Sequence, residues 1–171
     1  MDAFIIKNDL ALEVYAASRW NREQNELVID DDLYDADTQK WIIEDEYSGE
    51  LRSPKSWELF EAFKDRVTIS EDKSTGFVSV SIEYFSPYVA KAWVDMYVKS
   101  INNHMQTREV NKVDRNIQYL QRQIGATAIA EMQEVLYTLV EEQIKAKMVA
   151  EASPDFAFTT VSPSMIPEEK S

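Results

Sequence analysis

Residues 87–152 read PYVAKAWVDMYVKSINNHMQTREVNKVDRNIQYLQRQIGATAIAEMQEVLYTLVEEQIKAKMVAEA, and the way this stretch folds decides the architecture. It opens at Ser86-Pro87, contains no second proline and carries one glycine, Gly125. Proline is tolerated at the first helical position, where its missing N–H would go unused, so the composition predicts helix throughout. As one unbroken helix it would run on the order of 95 Å at 1.5 Å per residue, longer than a domain of this size is wide. Val89, Trp93, Met96 and Tyr97 form a wide apolar face suited to packing on a sheet. Val113, Ile117, Leu120 and Ile124 step by four, three and four, the narrow seam of a coiled coil. The pattern slips across Gly125-Ala126-Thr127-Ala128 and resumes with Met132, Leu136 and Leu139. Glycine inside a helix costs about 1 kcal/mol relative to alanine, and the slip leaves a kink, a phase shift or a reversal into a hairpin open. A rod too long to be buried on its own domain exposes its seam, and an exposed apolar seam finds partner helices. These seven seam residues are therefore the candidate oligomer interface.

The flanks predict a base for this rod. Val67-Thr68-Ile69-Ser70 and Phe77 to Tyr84 alternate as strands around Glu71-Asp72-Lys73-Ser74-Thr75-Gly76, with the glycine supplying the turn. Val78, Val80, Ile82 and Tyr84 share one face, which implies a sheet covered on one side. Ser53-Pro54 signals a helix to about Arg66 carrying Trp57, Phe60 and Phe63. Further upstream, Asn8-Asp9 caps a predicted helix from about Leu10 to Trp20, with Leu10, Val14 and Ala17 on one face. The apolar triplet Leu27-Val28-Ile29 follows, and a short helix near Thr38 to Glu44 carries Trp41 and Ile42. After Ser153-Pro154 ends the rod, Phe156 to Val161 alternates as a strand that a crossover helix places parallel in the sheet. Residues Ser162 to Ser171 read as an extended connector. No internal repeat is evident. The expected fold is α+β: a small mixed-sheet base with flanking helices over about 1–110 and 153–171, and a long, extended, coiled-coil-like helical protrusion over about 111–152, within one domain of residues 1–171.

Composition narrows the function. At 171 residues the chain can carry its own core. Its formal net charge of -13 repels phosphate backbones, which argues against nucleic acid and against anionic membrane surfaces. With no cysteine, disulfides and thiolate sites are excluded. No run approaches the ~18 apolar residues of a membrane helix, and the opening Met1-Asp2-Ala3-Phe4-Ile5-Ile6-Lys7 lacks the character of a signal peptide. Read literally, that describes a soluble cytosolic chain; read as an excised fragment, it does not place the parent protein.

Catalytic constellations are missing. His104 is the single histidine and stands beside Asn102, Asn103 and Gln106, with no glycine-framed serine anywhere. Its plain reading is a surface or partly buried histidine. The acidic run Asp30 to Asp37 invites a calcium loop, but a loop begun at Asp35 puts Lys40 where glycine is required, so a solvated acidic loop is the better reading. Carboxylate pairs carry no weight among 31 acidic residues, and Gly49 and Gly76 stand outside any phosphate-binding pattern. Trp57, Phe60, Phe63 and Trp93 have the spacing of core residues rather than of a sugar-stacking platform. No catalytic residue, cofactor or metal is expected, and the chain is not expected to be an enzyme.

Three segments in order resemble the polysaccharide co-polymerase family, the O-antigen (lipopolysaccharide) chain-length determinants of the Wzz type. The first is Asp72 to Tyr84 followed by Ser86 to Asp95. The second runs from Ile117-Gln118-Tyr119-Leu120 through Ala130 to Tyr137 and on to Glu141-Glu142-Gln143. The third is Phe156 to Lys170. The likeness covers roughly the last 100 residues, while residues 1–66 fit loosely. It implies a periplasmic domain of an inner-membrane parent whose two membrane helices lie outside this chain, a domain that begins after the family's first base strand. It further implies a homo-oligomeric ring acting with a separate O-antigen polymerase on lipid-linked oligosaccharide, biasing when extension stops and doing no bond chemistry. A capsule or exopolysaccharide co-polymerase is the neighbouring alternative. A non-catalytic coiled-coil adaptor explains the rod but not the sheet, and a glycan hydrolase or lyase would need a carboxylate pair in a cleft with one pKa strongly raised.

Overall fold

The computed structural model describes residues 1–166, so the last five residues of the expected connector and the last four of the third resembling segment lie outside the described residues. The fold is α+β, with five helices and four antiparallel two-stranded ribbons among the described residues. It divides into two compact units, one of Met1–Met96 with the stretch from Ser164, the other Tyr97–Pro163.

The first unit opens with α1 (Asp2–Lys7) and α2 (Ala11–Tyr15) and continues into β1 (Ala17–Asn21) and β2 (Glu26–Ile29). The predicted helix from Leu10 to Trp20 is thus cut at Tyr15. The cause is the turn that follows: the Asn21 carboxamide oxygen accepts the N–H groups of Glu23 and Gln24, and Asn25 takes φ 53°. A side chain that caps its own turn competes with helix. The predicted helix at Thr38–Glu44 fails for the same reason. There the chain forms β3 (Tyr34–Asp35) with β4 (Lys40–Trp41), then β5 (Ile43–Glu44) with β6 (Leu51–Arg52).

Every ribbon closes on one turn design. Asn21, Asp35, Asp45 and Asp72 each accept a backbone N–H two residues on. The residue four places after each, Asn25, Gln39, Gly49 and Gly76, has φ between 53° and 72°. That left-handed conformation is least costly for glycine and tolerated by asparagine. The same turn geometry thus recurs at four places, between strands of different length.

Helix α3 (Ser56–Lys64) starts two residues later than Ser53-Pro54 predicts, because Glu58 reaches back to accept the Lys55 N–H at 2.6 Å. Arg52 grips the same carboxylate with two bonds of 2.8 Å. Those donors hold Glu58 below the usual glutamate range, the Arg52 bond contributing most. The buried face of α3 is Leu59 and Phe63, and Trp57 is 65% exposed rather than in the core. The expected ribbon is present as β7 (Val67–Asp72) and β8 (Phe77–Ile82), paired in register from Val67↔Ile82 to Asp72↔Phe77. It stands as a two-stranded ribbon and not as part of a mixed sheet, so burial reaches Ile82 but not Val78.

The core of this unit is a chain of rings, Phe4 to Phe63 at 5.4 Å, Phe63 to Trp93 at 5.7 Å and Trp93 to Tyr84 at 4.4 Å between centroids. Ile5, Val14 and Leu59 are buried in the same unit. Trp93 comes from α4 (Pro87–Ala126), which packs by its first turns as its wide apolar face predicts. Ser164 donates to Asp95 at 2.6 Å and ties the returning chain to this unit.

In the second unit, α4 stops at Ala126 and α5 (Ala130–Ala152) begins after a three-residue link. Bonded pairs run in opposite order along the two helices: Gln106 with Ala150, Asp114 with Lys147, Asn116 with Gln143, and Gln133 with Ile124 and Thr127. The slip near Gly125 is therefore a reversal, and the long rod is an antiparallel helical hairpin. Gln133 helps to fix it by donating to the carbonyls of Ile124 and Thr127, groups that a helix end leaves unpaired.

The helix ends at Ser153-Pro154 as expected, but Phe156–Val161 forms no strand. Asn102, 3% exposed, takes the place of a sheet edge. Its oxygen accepts the N–H groups of Ala157 and Phe158 at 2.9 and 2.8 Å, and its nitrogen donates to the Phe158 carbonyl at 2.9 Å. One carboxamide thus satisfies the groups that a neighbouring strand would have paired.

Candidate functional site

The candidate interface residues divide. Val113 is 2% exposed, and Ile117, Leu120 and Ile124 are half-buried along the stripe of α4 that alternates with the residues bonded to α5. On α5, Gln133, Leu136, Val140, Gln143, Lys147 and Ala150 recur by three and four and form the facing, less exposed stripe. The partner helix of the seam is thus supplied by the same chain. Met132 and Leu139 stay outside this contact, at 50% and 40% exposure.

The hairpin seam is half polar. Lys147 donates to Asp114 at 2.8 Å, and the Asp114 carboxylate raises the Lys147 ammonium above its usual range. Such a seam fixes register more than it adds stability. Apolar surface instead spreads over both flanks of α5. Met132, Val135 and Leu139 lie on one side of its buried stripe, and Tyr137, Ile144 and Met148 on the other, all exposed. One facing helix covers a narrow stripe, and α5 is apolar over a far wider arc.

The first unit holds a cleft of about 570 Å³ lined by Ser18, Arg19, Trp20, Arg22, Asp65, Arg66, Glu83, Tyr84 and Phe85. Three junctions build it: β1 with its turn, the step from α3 into β7, and the step from β8 into α4. Strand β1 is bulged at Ser18, where Ala17 pairs with Ile29 and Arg19 already with Val28. A bulge re-aims the side chains that follow it. Rings set the guanidinium groups in place: Arg66 lies 5.0 Å over Tyr84 and 5.7 Å from Phe85, and Arg22 lies 5.7 Å over Trp20. None of Arg19, Arg22 and Arg66 forms an ion pair among the described residues. Trp20 Nε1 and Arg66 Nη1 are buried with no acceptor. A sequence signal for this site exists in Arg19-Trp20-Asn21-Arg22, two arginines around a tryptophan in an acidic chain, but it sits inside the stretch that reads as a helix end.

Tyr84 forms one wall. Its hydroxyl donates to the Glu13 carbonyl, and burial pushes its pKa up to about 12, with Arg66 opposing the rise. The unfolded phenol ionises near 10. Burying the neutral ring therefore stabilises the fold fully below about pH 10, and this contribution is lost as pH rises toward 12. Melting temperatures at pH 9 and pH 11 should fall more steeply for the wild-type chain than for Tyr84→Phe. An equal fall in both proteins would assign the alkaline loss to other groups.

His104 is exposed, and no cluster of three or more metal-ligating side chains occurs among the described residues. The acidic run is spent on turns: Asp30 accepts the Asp32 N–H, and Asp35 accepts from Asp37 and from both the backbone and the hydroxyl of Thr38. Among the described residues no helix is long and apolar enough to cross a membrane. Compared with protein-family models, with curated proteins and with solved structures, the chain matches none.

Proposed function

We propose that this chain is the periplasmic part of a regulator of O-antigen chain length, a non-catalytic scaffold that works as a homo-oligomeric ring beside a separate polymerase on lipid-linked oligosaccharide, with its parent anchored in the bacterial inner membrane. The observation that carries the reading is the apolar arc of α5, which extends past both sides of the stripe facing α4. Exposed apolar surface of this kind marks an interaction site. Two apolar flanks on opposite sides of one stripe suit a contact of flank to opposite flank between copies, the heterologous arrangement from which closed rings are built. The resemblance of residues 72–95, 117–143 and 156–170 to the chain-length determinants supplies the process.

Replacing Ile117 and Leu120, half-buried in the hairpin, would disturb the hairpin as well as any assembly. Val135→Glu with Leu139→Glu touches exposed positions, where substitutions change stability by about 0.5 kcal/mol or less. The pair should lower the oligomer mass of the full-length parent in light scattering while circular dichroism of the chain stays unchanged. In a strain lacking its own regulator, the wild-type parent gene should convert a random lipopolysaccharide ladder on a silver-stained gel into a cluster of lengths, and the double variant should not. An unchanged ladder from wild-type protein present in the membrane would overturn the O-antigen reading in favour of capsule or exopolysaccharide. Unchanged mass for the variant would overturn the α5 interface.

A further inference from the structure

We infer that the cleft between β1, the α3–β7 junction and the β8–α4 junction binds an acidic sugar, a ring carrying a carboxylate beside its hydroxyl groups. This inference uses none of the α5 residues and stands apart from the assembly reading.

The lining makes the choice of ligand. A bare inorganic anion would meet three arginines but also the carboxylates of Asp65 and Glu83, which no arginine in the cleft neutralises within ion-pair distance. A purely apolar ligand would cover Arg19, Arg22, Asp65 and Glu83 without offering any of these charged groups a hydrogen-bond partner. A sugar ring satisfies all of these groups at once. Its hydroxyls donate to Asp65 and Glu83 and accept from the guanidinium groups of Arg19 and Arg22, which are exposed and carry no ion pair among the described residues. The excess of arginine over carboxylate in the cleft, within a chain of net charge -13, favours a sugar that is itself anionic. A guanidinium fork suits a carboxylate, which it can bind with two parallel bonds. At about 570 Å³ the cleft is open to solvent and has room for one sugar ring. The stacks that hold Arg22 and Arg66 reduce the side-chain ordering required on binding.

The test is a titration of the 15N-labelled 171-residue chain, with the indole N–H resonance of Trp20 as the reporter, identified by its loss in Trp20→Phe. The probes are trigalacturonate, neutral galactotriose and sodium phosphate. Trigalacturonate should shift the Trp20 indole signal saturably, while galactotriose binds at least about tenfold more weakly, as the loss of one charge-assisted pair implies. Arg19→Ala with Arg22→Ala, both exposed positions, should weaken trigalacturonate about tenfold or more with an otherwise unchanged spectrum. Equal binding of the neutral sugar would overturn the acidic specificity. Phosphate displacing trigalacturonate completely at equal concentration would overturn the sugar in favour of a simple anion site. No shift with any probe would overturn the site. None of these readouts depends on chain-length control, so failure here leaves the assembly proposal standing, and the reverse holds as well.

Discussion

Trp93→Ala is expected to remove about 3–5 kcal/mol of stability, the range for deleting a buried aromatic side chain. Trp93 is 1% exposed and lies inside the ring series of the first unit, between Phe63 and Tyr84. Its removal costs the transfer of the indole and opens a cavity between groups that α3, β8 and the first turns of α4 hold in place. A domain stable by about 5–15 kcal/mol loses a large share of that margin. In urea the midpoint should move down sharply, with Trp57→Ala as the comparison. Trp57 is a residue of the same type but 65% exposed, stacked on Phe60 at 5.3 Å, and its loss should cost about 1 kcal/mol or less. Similar midpoints for the two variants would mean that the ring series is not the core of this unit.

The second large effect is expected at Asn102. In Asn102→Ala the N–H groups of Ala157 and Phe158 and the Phe158 carbonyl lose their partner together. Each buried group left unpaired costs about 1–3 kcal/mol. The segment limits this penalty by opening into water, because residues 158–163 are exposed. The expected result is therefore local: fast hydrogen exchange at the Ala157 and Phe158 amides, new protease cleavage near them, and a global loss of about 1–3 kcal/mol. Asn102→Asp keeps an acceptor for both N–H groups and loses only the donor to Phe158, so those two amides should stay protected. Protection retained in Asn102→Ala would show that other contacts hold the segment.

The four turns show how much was legible and where reading failed. Each begins at Asn or Asp and reaches a left-handed residue four places on. Gly76 made the fourth turn readable, since glycine between alternating runs is a strong hairpin signal. Gly49 carries the same signal but follows strands of only two residues, too short for alternation to register. At Asn25 and Gln39 the left-handed residue is not glycine, so apolar spacing suggested helices where local carboxylate and carboxamide bonds in fact stop them. The cleft was lost with the first of these errors, because Arg19, Trp20 and Arg22 belong to the strand and turn read as a helix end.

By itself, the sequence determined what depends on neighbouring residues. That includes the α+β class, the β7–β8 ribbon turning at Gly76, the helix start at Pro87, the end at Ser153 and the absence of thiolate chemistry. Periodicity, capping and turn chemistry act over a few residues, and one chain displays them without reference to its fold. Tertiary structure alone decided which surfaces meet. An apolar seam at Val113, Ile117, Leu120 and Ile124 needs a partner, but spacing does not say whose helix provides it. Gln133 and Lys147 on the returning helix made it the chain's own. A run at Phe156–Val161 with strand alternation needs an edge, and Asn102, 55 residues away, offered a carboxamide in its place. Contacts between distant residues select among locally acceptable conformations, and that selection is absent from any single stretch of sequence.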